Sequence, residues 1–224
     1  MKYRTAAIAS LAAFSALSLF AVVKIKSGNE EEPNYATSTV KVEIHGIELD
    51  IPANYIYMNT MEKYKKLRPI PKERKKLGAV TIEALLPDLT PYKKEDDAIW
   101  RQRGFGRRIN ITIARPYGGE NWFETALESA PRFASKQFSI EKGNNNVVQV
   151  FVGSNFTDYY SRTPRNLLTS CTNPSKLPYR HCTAKSITGN GLTAEYSYSE
   201  SYSKDFVEID NRVQGLISSF FINN

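Results

Sequence analysis

Residues 40–51 read VKVEIHGIELDI, with apolar and polar side chains alternating on both sides of His45-Gly46. A two-residue turn there sets Ile44 opposite Ile47, Val42 opposite Leu49 and Val40 opposite Ile51. All six apolar side chains then share one face of a hairpin. On the other face Lys41 opposes Asp50, a favourable pair. Glu43 opposes Glu48, a repulsion that a neighbouring cation would relieve. Pro52 ends the second strand.

The same period of two recurs along the chain. Residues 79–86 form a strand candidate, and in 107–115 Ile109, Ile111 and Ile113 point one way. Residues 137–142 and 147–153 form a hairpin over Gly143–Asn146. Further strands are expected near 156–161, 167–172, 180–186 and 191–199, where Leu192, Ala194, Tyr196 and Tyr198 share a face. Thirteen Tyr and eleven Phe suit such strands. Three helices are expected between them. Thr90 caps one with Pro91 at its first position, running to about Arg103. A second spans Glu120 to about Ala130, with Phe123, Ala126, Leu127 and Ala130 as its buried stripe and Pro131 as its stop. The last is capped by Ser203, and Phe206, Ile209, Val213, Leu216, Ile217 and Phe220 line its apolar side. These elements predict a single α+β domain over residues 40–224. Its antiparallel sheet would carry helices packed on one face and end in a C-terminal amphipathic helix.

Residues 1–27 have a different character. Lys2 and Arg4 precede nineteen uncharged residues, 5–23, and Lys24 and Lys26 close the run. As a helix the run would extend about 28 Å, near the ~30 Å hydrocarbon core, which favours a signal-anchor. Its Ala/Ser-rich composition and Ala16-Leu17-Ser18 suit a cleaved signal peptide instead. Either way the basic start stays in the cytoplasm and the body is exported. The expected location is the inner membrane, single-pass, with the body in the periplasm, or the periplasm itself after cleavage. Residues 28–39 read as a flexible polar tether.

Export changes how charge and cysteine are read. The net charge is +7, but the four basic residues that flank the apolar run leave 26 basic against 23 acidic residues for the body. That mild excess argues against a nucleic-acid binder. The only two cysteines, Cys171 and Cys182, are expected to form a structural disulfide, since an even count in an exported chain favours pairing.

No catalytic centre emerges, so no enzyme is expected, and no cofactor or metal is implied. The two histidines, His45 and His181, lie in no metal motif, and no G-x-S-x-G elbow occurs. Asp96 and Asp97 point in different directions on their helix, and Glu124 and Glu128 suit an exposed helix face. Arg101–Arg108 (RQRGFGRR) follows a helix and precedes a strand, the reverse of a phosphate-binding loop, so Gly104 reads as a helix C-cap. The strongest charge feature is the run from Lys63 to Lys76. Its eight cations are Lys63, Lys65, Lys66, Arg68, Lys72, Arg74, Lys75 and Lys76, opposed only by Glu73. It reads either as a solvated loop or as a candidate interaction patch, in which the charges steer an acidic partner and are replaceable without cost to folding.

Several features recur in order: the V-x-V-x-I-x-G-I-x-L-x-I-P hairpin followed by Asn54-Tyr55, Leu86-Pro87-Asp88 before a short helix, the Ile109–Ile113 strand, Cys171 and Cys182, the alternating Tyr strand and the final helix. This layout resembles small membrane-anchored or exported proteobacterial envelope proteins, including periplasmic immunity proteins against type VI secretion effectors. The resemblance spans most of residues 40–221 and implies a non-catalytic periplasmic binding protein, an immunity protein inhibiting an envelope-acting toxin. The alternative is an envelope accessory or assembly protein that binds an anionic ligand, and an uncharacterised hydrolase is the third reading. No functional residue carries over from the resemblance.

Overall fold

The computed structural model describes residues 37–56, 70–119, 121–142, 146–173 and 179–222. Residues 1–27, expected to be a signal-anchor or signal peptide, and the expected tether up to residue 36 lie outside the described residues. Among the described residues no helix is long and apolar enough to cross a membrane.

The hairpin forms with the register its sequence dictates. Strands β1 (Thr39–Ile44) and β2 (Ile47–Pro52) pair antiparallel, with Val40↔Ile51, Val42↔Leu49 and Ile44↔Ile47. His45 and Gly46 both take positive φ, 54° and 80°, as a tight turn between twisted strands requires. A third strand, β3 (Lys75–Leu77), joins β1 in parallel, so the small sheet has the order β2-β1-β3.

The main sheet comprises β4 (Ala79–Leu85), β5 (Arg108–Ala114), β6 (Lys136–Lys142), β7 (Asn146–Val152), β8 (Phe156–Ser161), β9 (Leu167–Thr172), β10 (His181–Ile187) and β11 (Thr193–Ser199). Their order is β4-β5-β11-β10-β9-β8-β7-β6 and every pairing is antiparallel. The alternation expected along β5 and β11 holds: Ile109, Ile111, Ile113, Ala194, Tyr196 and Tyr198 are all buried. The C-terminal helix, Phe206–Ser218, lays Phe206, Ile209, Val213 and Ile217 into the same core, together with the apolar face of the hairpin. The chain then closes the core: Asp50 N donates to Phe220 O at 2.9 Å, and Leu49 bridges Phe221.

The expected α+β arrangement, with helices packed on one face, is overturned. The body is mostly β, its helices are short, and the two longer ones lie on opposite faces of the sheet. The helix Trp122–Ser129 buries Phe123, and Ala130 behind it, against Phe151 and Tyr160 in a separate cluster. Val148 and Val150 of β7 point instead into the main core, as does Tyr159 of β8 onto Phe206, with ring centres 5.2 Å apart. The physical reason is that β7 and β8 are apolar on both faces, so this end of the sheet needs cover from both sides. A reading that assigns each strand one apolar face misses that.

Two helix expectations also change. Residues 91–103 supply only a turn of 3-10 helix, Lys94–Asp96, and one turn of α-helix, Asp97–Trp100. Thr90 cannot act as the N-cap there, because its backbone N–H and C=O are both bonded to Leu85. Ser199 rather than Ser203 provides the cap before the last helix, accepting from Ser201 N at the head of a 3-10 segment, Glu200–Asp205.

Among the described residues, one carboxyl side chain lies in the core. Asp210 is 1% exposed. It accepts from Ser186 Oγ at 2.6 Å, Tyr196 OH at 2.9 Å and Arg165 Nη1 at 2.5 Å. Gln214 Nε2 donates to Ser186 Oγ at 2.8 Å and extends the network. A buried carboxylate survives only with such a donor set.

Candidate interaction surface

The basic run divides on inspection. Lys63, Lys65, Lys66 and Arg68 lie outside the described residues. Lys72 and Lys75 are exposed. Arg74 is a structural residue: its guanidinium donates to Val42 O at 2.9 Å, Leu49 O at 3.1 Å and Asp50 Oδ1 at 2.9 Å, and pairs with Glu48 at 3.3 Å. Lys76 pairs with Glu43 at 3.3 Å. The Glu43–Glu48 repulsion thus receives a cation on each acid, delivered by β3 and the residue that precedes it. The sequence signal for this third strand was present in that unpaired like-charge couple beside a dense basic run.

Cys171 and Cys182 face each other across β9 and β10 and are joined, with Cα atoms 4.0 Å apart. Such a closure stabilises by about 3 kcal/mol in the chain-entropy account. His45 occupies its turn, and His181 stacks on Phe105 at 5.6 Å, so the two histidines are not brought together. Asp97 is held by Arg101 at 2.7 Å. Glu124 is clamped by both terminal nitrogens of Arg162, which ties the mid-chain helix to the end of β8 and holds the Glu124 carboxyl below its ordinary range. In the 101–108 loop, Arg107 and Arg108 donate to the carbonyls of Leu86 and Gly104, so those cations serve the loop itself. The short helix ends at Arg101 in right-handed geometry, and Gly104, at φ 72°, lies beyond that cap. Among the described residues no three His, Cys, Asp or Glu side chains gather as a metal site.

Away from the Phe151–Tyr160 cluster, the sheet face turned from the main core is polar. Two rows cross it in register: Thr81, Thr112, Glu195, Lys185, and Glu83, Asn110, Ser197, Thr183, Ser170, Asp158. Partial burial raises the carboxyls of Glu195 and Asp158, the latter offset by a bond from Ser170. At one end of this face lies a cleft of about 380 Å³ lined by Pro116, Tyr117, Gly119, Trp122, Ile187 and Gly191.

The cleft is built by two adjoining connections. After β5, Pro116 and Tyr117 lead into Gly118 and Gly119, both at positive φ (88° and 77°), and the helix opens at Trp122. A Cβ on Gly118 would stand 3.2 Å from Trp122 Cβ, so the close approach favours glycine twice over. From the other side, the β10–β11 turn is fixed by Thr188, whose Oγ1 accepts from Leu192 N at 3.0 Å. Lys185 places its ammonium 3.7 Å from the centre of the Tyr117 ring and 4.7 Å from that of Trp122, and it donates to Tyr117 O at 3.4 Å. Burial lowers its pKa from the ordinary lysine value. The ion pairs found among the described residues do not include Lys185. The arrangement is a partly desolvated cation between two aromatic rings, the side-chain types that dominate contact energies at protein interfaces. Sequence reasoning missed it. The Pro-Tyr-Gly-Gly stretch ahead of Trp122 marked a loop, but only the fold brings Lys185 to it.

No family model matches the chain, and no curated protein matches it in sequence. Solved structures resemble it in fold. The iron-regulated outer membrane lipoprotein FrpD of Neisseria meningitidis is 14% identical, with a TM-score of 0.60 over 84% of this chain and 95% of that one. Smlt3025, an immunity protein of the Stenotrophomonas maltophilia type IV secretion system, is 15% identical, with a TM-score of 0.56 over 83% of this chain and 94% of that one. At these identities the likeness is one of fold. The body therefore has a fold also used by a proteobacterial outer membrane lipoprotein and by a secretion-system immunity protein. The immunity protein in this comparison belongs to a type IV system, not the type VI system expected from layout.

Proposed function

We propose that this chain is a non-catalytic binding protein of the cell envelope and, in its finer form, an immunity protein that blocks an envelope-acting toxin by surface contact. The observation that carries this reading is the cleft lined by Tyr117 and Trp122, with Lys185 against both rings. Its two rings, with the Lys185 ammonium packed against them and in no ion pair found among the described residues, suit an anchor residue of a protein partner that carries a carboxylate. The fold likeness to an immunity protein supports the same reading. Segment 1–27 would hold the body at the inner membrane, facing the periplasm. A second reading, an envelope accessory protein for an anionic ligand, draws on the same lysine and on the likeness to an outer membrane lipoprotein. The test is to isolate the chain's envelope partner by pull-down and direct that protein to the periplasm, with and without the chain. Immunity requires protection of growth and a stoichiometric complex, both lost with Trp122→Ala and Lys185→Glu while the body stays folded. Toxicity unaffected by the chain, or protection by the chain at far below stoichiometric amounts, contradicts the proposal.

A further inference from the structure

Lys185 and Glu195 stand directly opposite each other in the β10–β11 register. Alternation puts both on the sheet face of Ile187, which lines the aromatic cleft. Directly opposed residues place their Cβ atoms about 4.5–5.5 Å apart, and an acid and a base so placed ordinarily pair. These two do not. The Lys185 ammonium is turned to the Tyr117 and Trp122 rings and donates to Tyr117 O. Glu195 is left half-buried, and its carboxylate takes part in no ion pair or hydrogen bond found among the described residues. Its other cross-strand neighbour, Thr112, is bonded to Thr81, with the hydroxyl oxygens 3.0 Å apart. In the next row Ser197 and Thr183 are likewise bonded to each other, at 3.3 Å.

A half-buried carboxylate without a partner is unfavourable, because burial penalises its charge and no contact offsets the loss. Its charge also decides what can approach the cleft. A ligand with anionic groups alone gains at Lys185 and is repelled by Glu195, one strand away. A ligand with a carboxylate and a cation side by side gains at both positions. A repulsive element thus stands beside an attractive one, and together they give selectivity.

We infer that Glu195 sets the specificity of this surface. The partner segment carries a carboxylate for Lys185 and, beside it, a cation for Glu195, flanking the apolar side chain that enters the cleft at Tyr117 and Trp122. The inference rests on the reading of that cleft as a contact surface for a protein, and it turns away a purely anionic ligand.

The test uses the full chain in detergent micelles and three capped tripeptides, Asp-Phe-Lys, Asp-Phe-Asp and Lys-Phe-Lys. Binding is read from the indole N–H resonance of Trp122, identified by its loss in Trp122→Ala. Asp-Phe-Lys should bind about fivefold or more tighter than either of the others, the scale of turning one exposed charge contact from attraction to repulsion. Glu195→Gln should remove most of its advantage over Asp-Phe-Asp. Glu195→Lys should reverse that preference, an outcome that loss of the fold cannot imitate. Equal or tighter binding of Asp-Phe-Asp to the unaltered chain would overturn the inference and leave the contact reading of the cleft in place. A Trp122 resonance moved by none of the three peptides would overturn both.

Discussion

The ammonium of Lys185 stands 3.7 Å from the centre of the Tyr117 ring and donates to the carbonyl of the same residue. The contact holds the loop after β5 against β10 and keeps a cation in an aromatic setting. At a half-exposed site it contributes about 0.5–1 kcal/mol. Lys185→Met should therefore leave thermal unfolding within a few degrees of wild type. A cooperative unfolding midpoint lowered far beyond that would make Lys185 a folding residue and not a surface one.

Arg165 and Asp210 form the chain's most deeply placed ion pair among the described residues. Arg165→Ala leaves a carboxylate that is 1% exposed with only hydroxyl donors. Removing one partner of a buried pair costs roughly 3–5 kcal/mol. The loss here should fall nearer 2–3 kcal/mol, because the Arg165 side chain is 31% exposed and solvent screens part of the interaction. Urea unfolding of Arg165→Ala and Asp210→Asn, with unchanged slopes, measures it. A change under about 0.5 kcal/mol for Arg165→Ala, the size of an ordinary surface effect, would contradict this account of the network.

Arg74 distinguishes a structural cation from its neighbours in the basic run. Arg74→Ala removes two bonds to hairpin carbonyls and the contacts with Glu48 and Asp50, and should destabilise by about 2 kcal/mol. Arg74→Lys should recover less than half, since an ammonium cannot reproduce the planar fork. Exposed Lys75→Ser should stay within about 0.5 kcal/mol. Equal midpoints for all three variants would return Arg74 to the solvated loop.

The tyrosines set an alkaline limit. Burial, followed by the Asp210 charge, raises the Tyr196 phenol well above its ordinary value. Burial raises Tyr198 as well, and burial with Asp158 pushes Tyr160 up to about 12. In the unfolded chain these phenols ionise near pH 10, as free tyrosine does. The folded state therefore holds more protons between that pH and the raised values. Stability is complete below about pH 10 and falls as pH rises through the window. Phenolate absorbance should show these groups titrating only together with loss of the fold. Complete titration near pH 10 with native circular dichroism retained would contradict their burial.

Much of this architecture can be read from alternation. The hairpin register from Val40 to Ile51, the inward isoleucines of β5 and the Tyr196–Tyr198 strand follow from a period of two. The stripe Phe123, Ala126, Leu127 and Ala130 follows from a period near four. What alternation cannot supply is cover on a second face. Phe151 and Tyr160 neighbour Val150 and Tyr159 in sequence, and such apolar doublets leave the packing of helices undetermined. Strand β3 hides in a basic run, because its stabilisation comes from Glu43, Glu48 and Asp50 and not from apolar side chains. The cleft and the lysine beside it join residues 117, 122 and 185, which only the β5-β11-β10 order brings together.

The central claim is that the chain acts by contact through the cleft at Tyr117 and Trp122, beside Lys185. A photo-crosslinking side chain at Tyr117, in the full chain in its native envelope, tests it most directly. The predicted result is one dominant protein adduct, lost when Trp122→Ala or Lys185→Glu is added to a chain that still shows native circular dichroism. An adduct pattern unchanged by both substitutions, or no protein adduct at all, would contradict it.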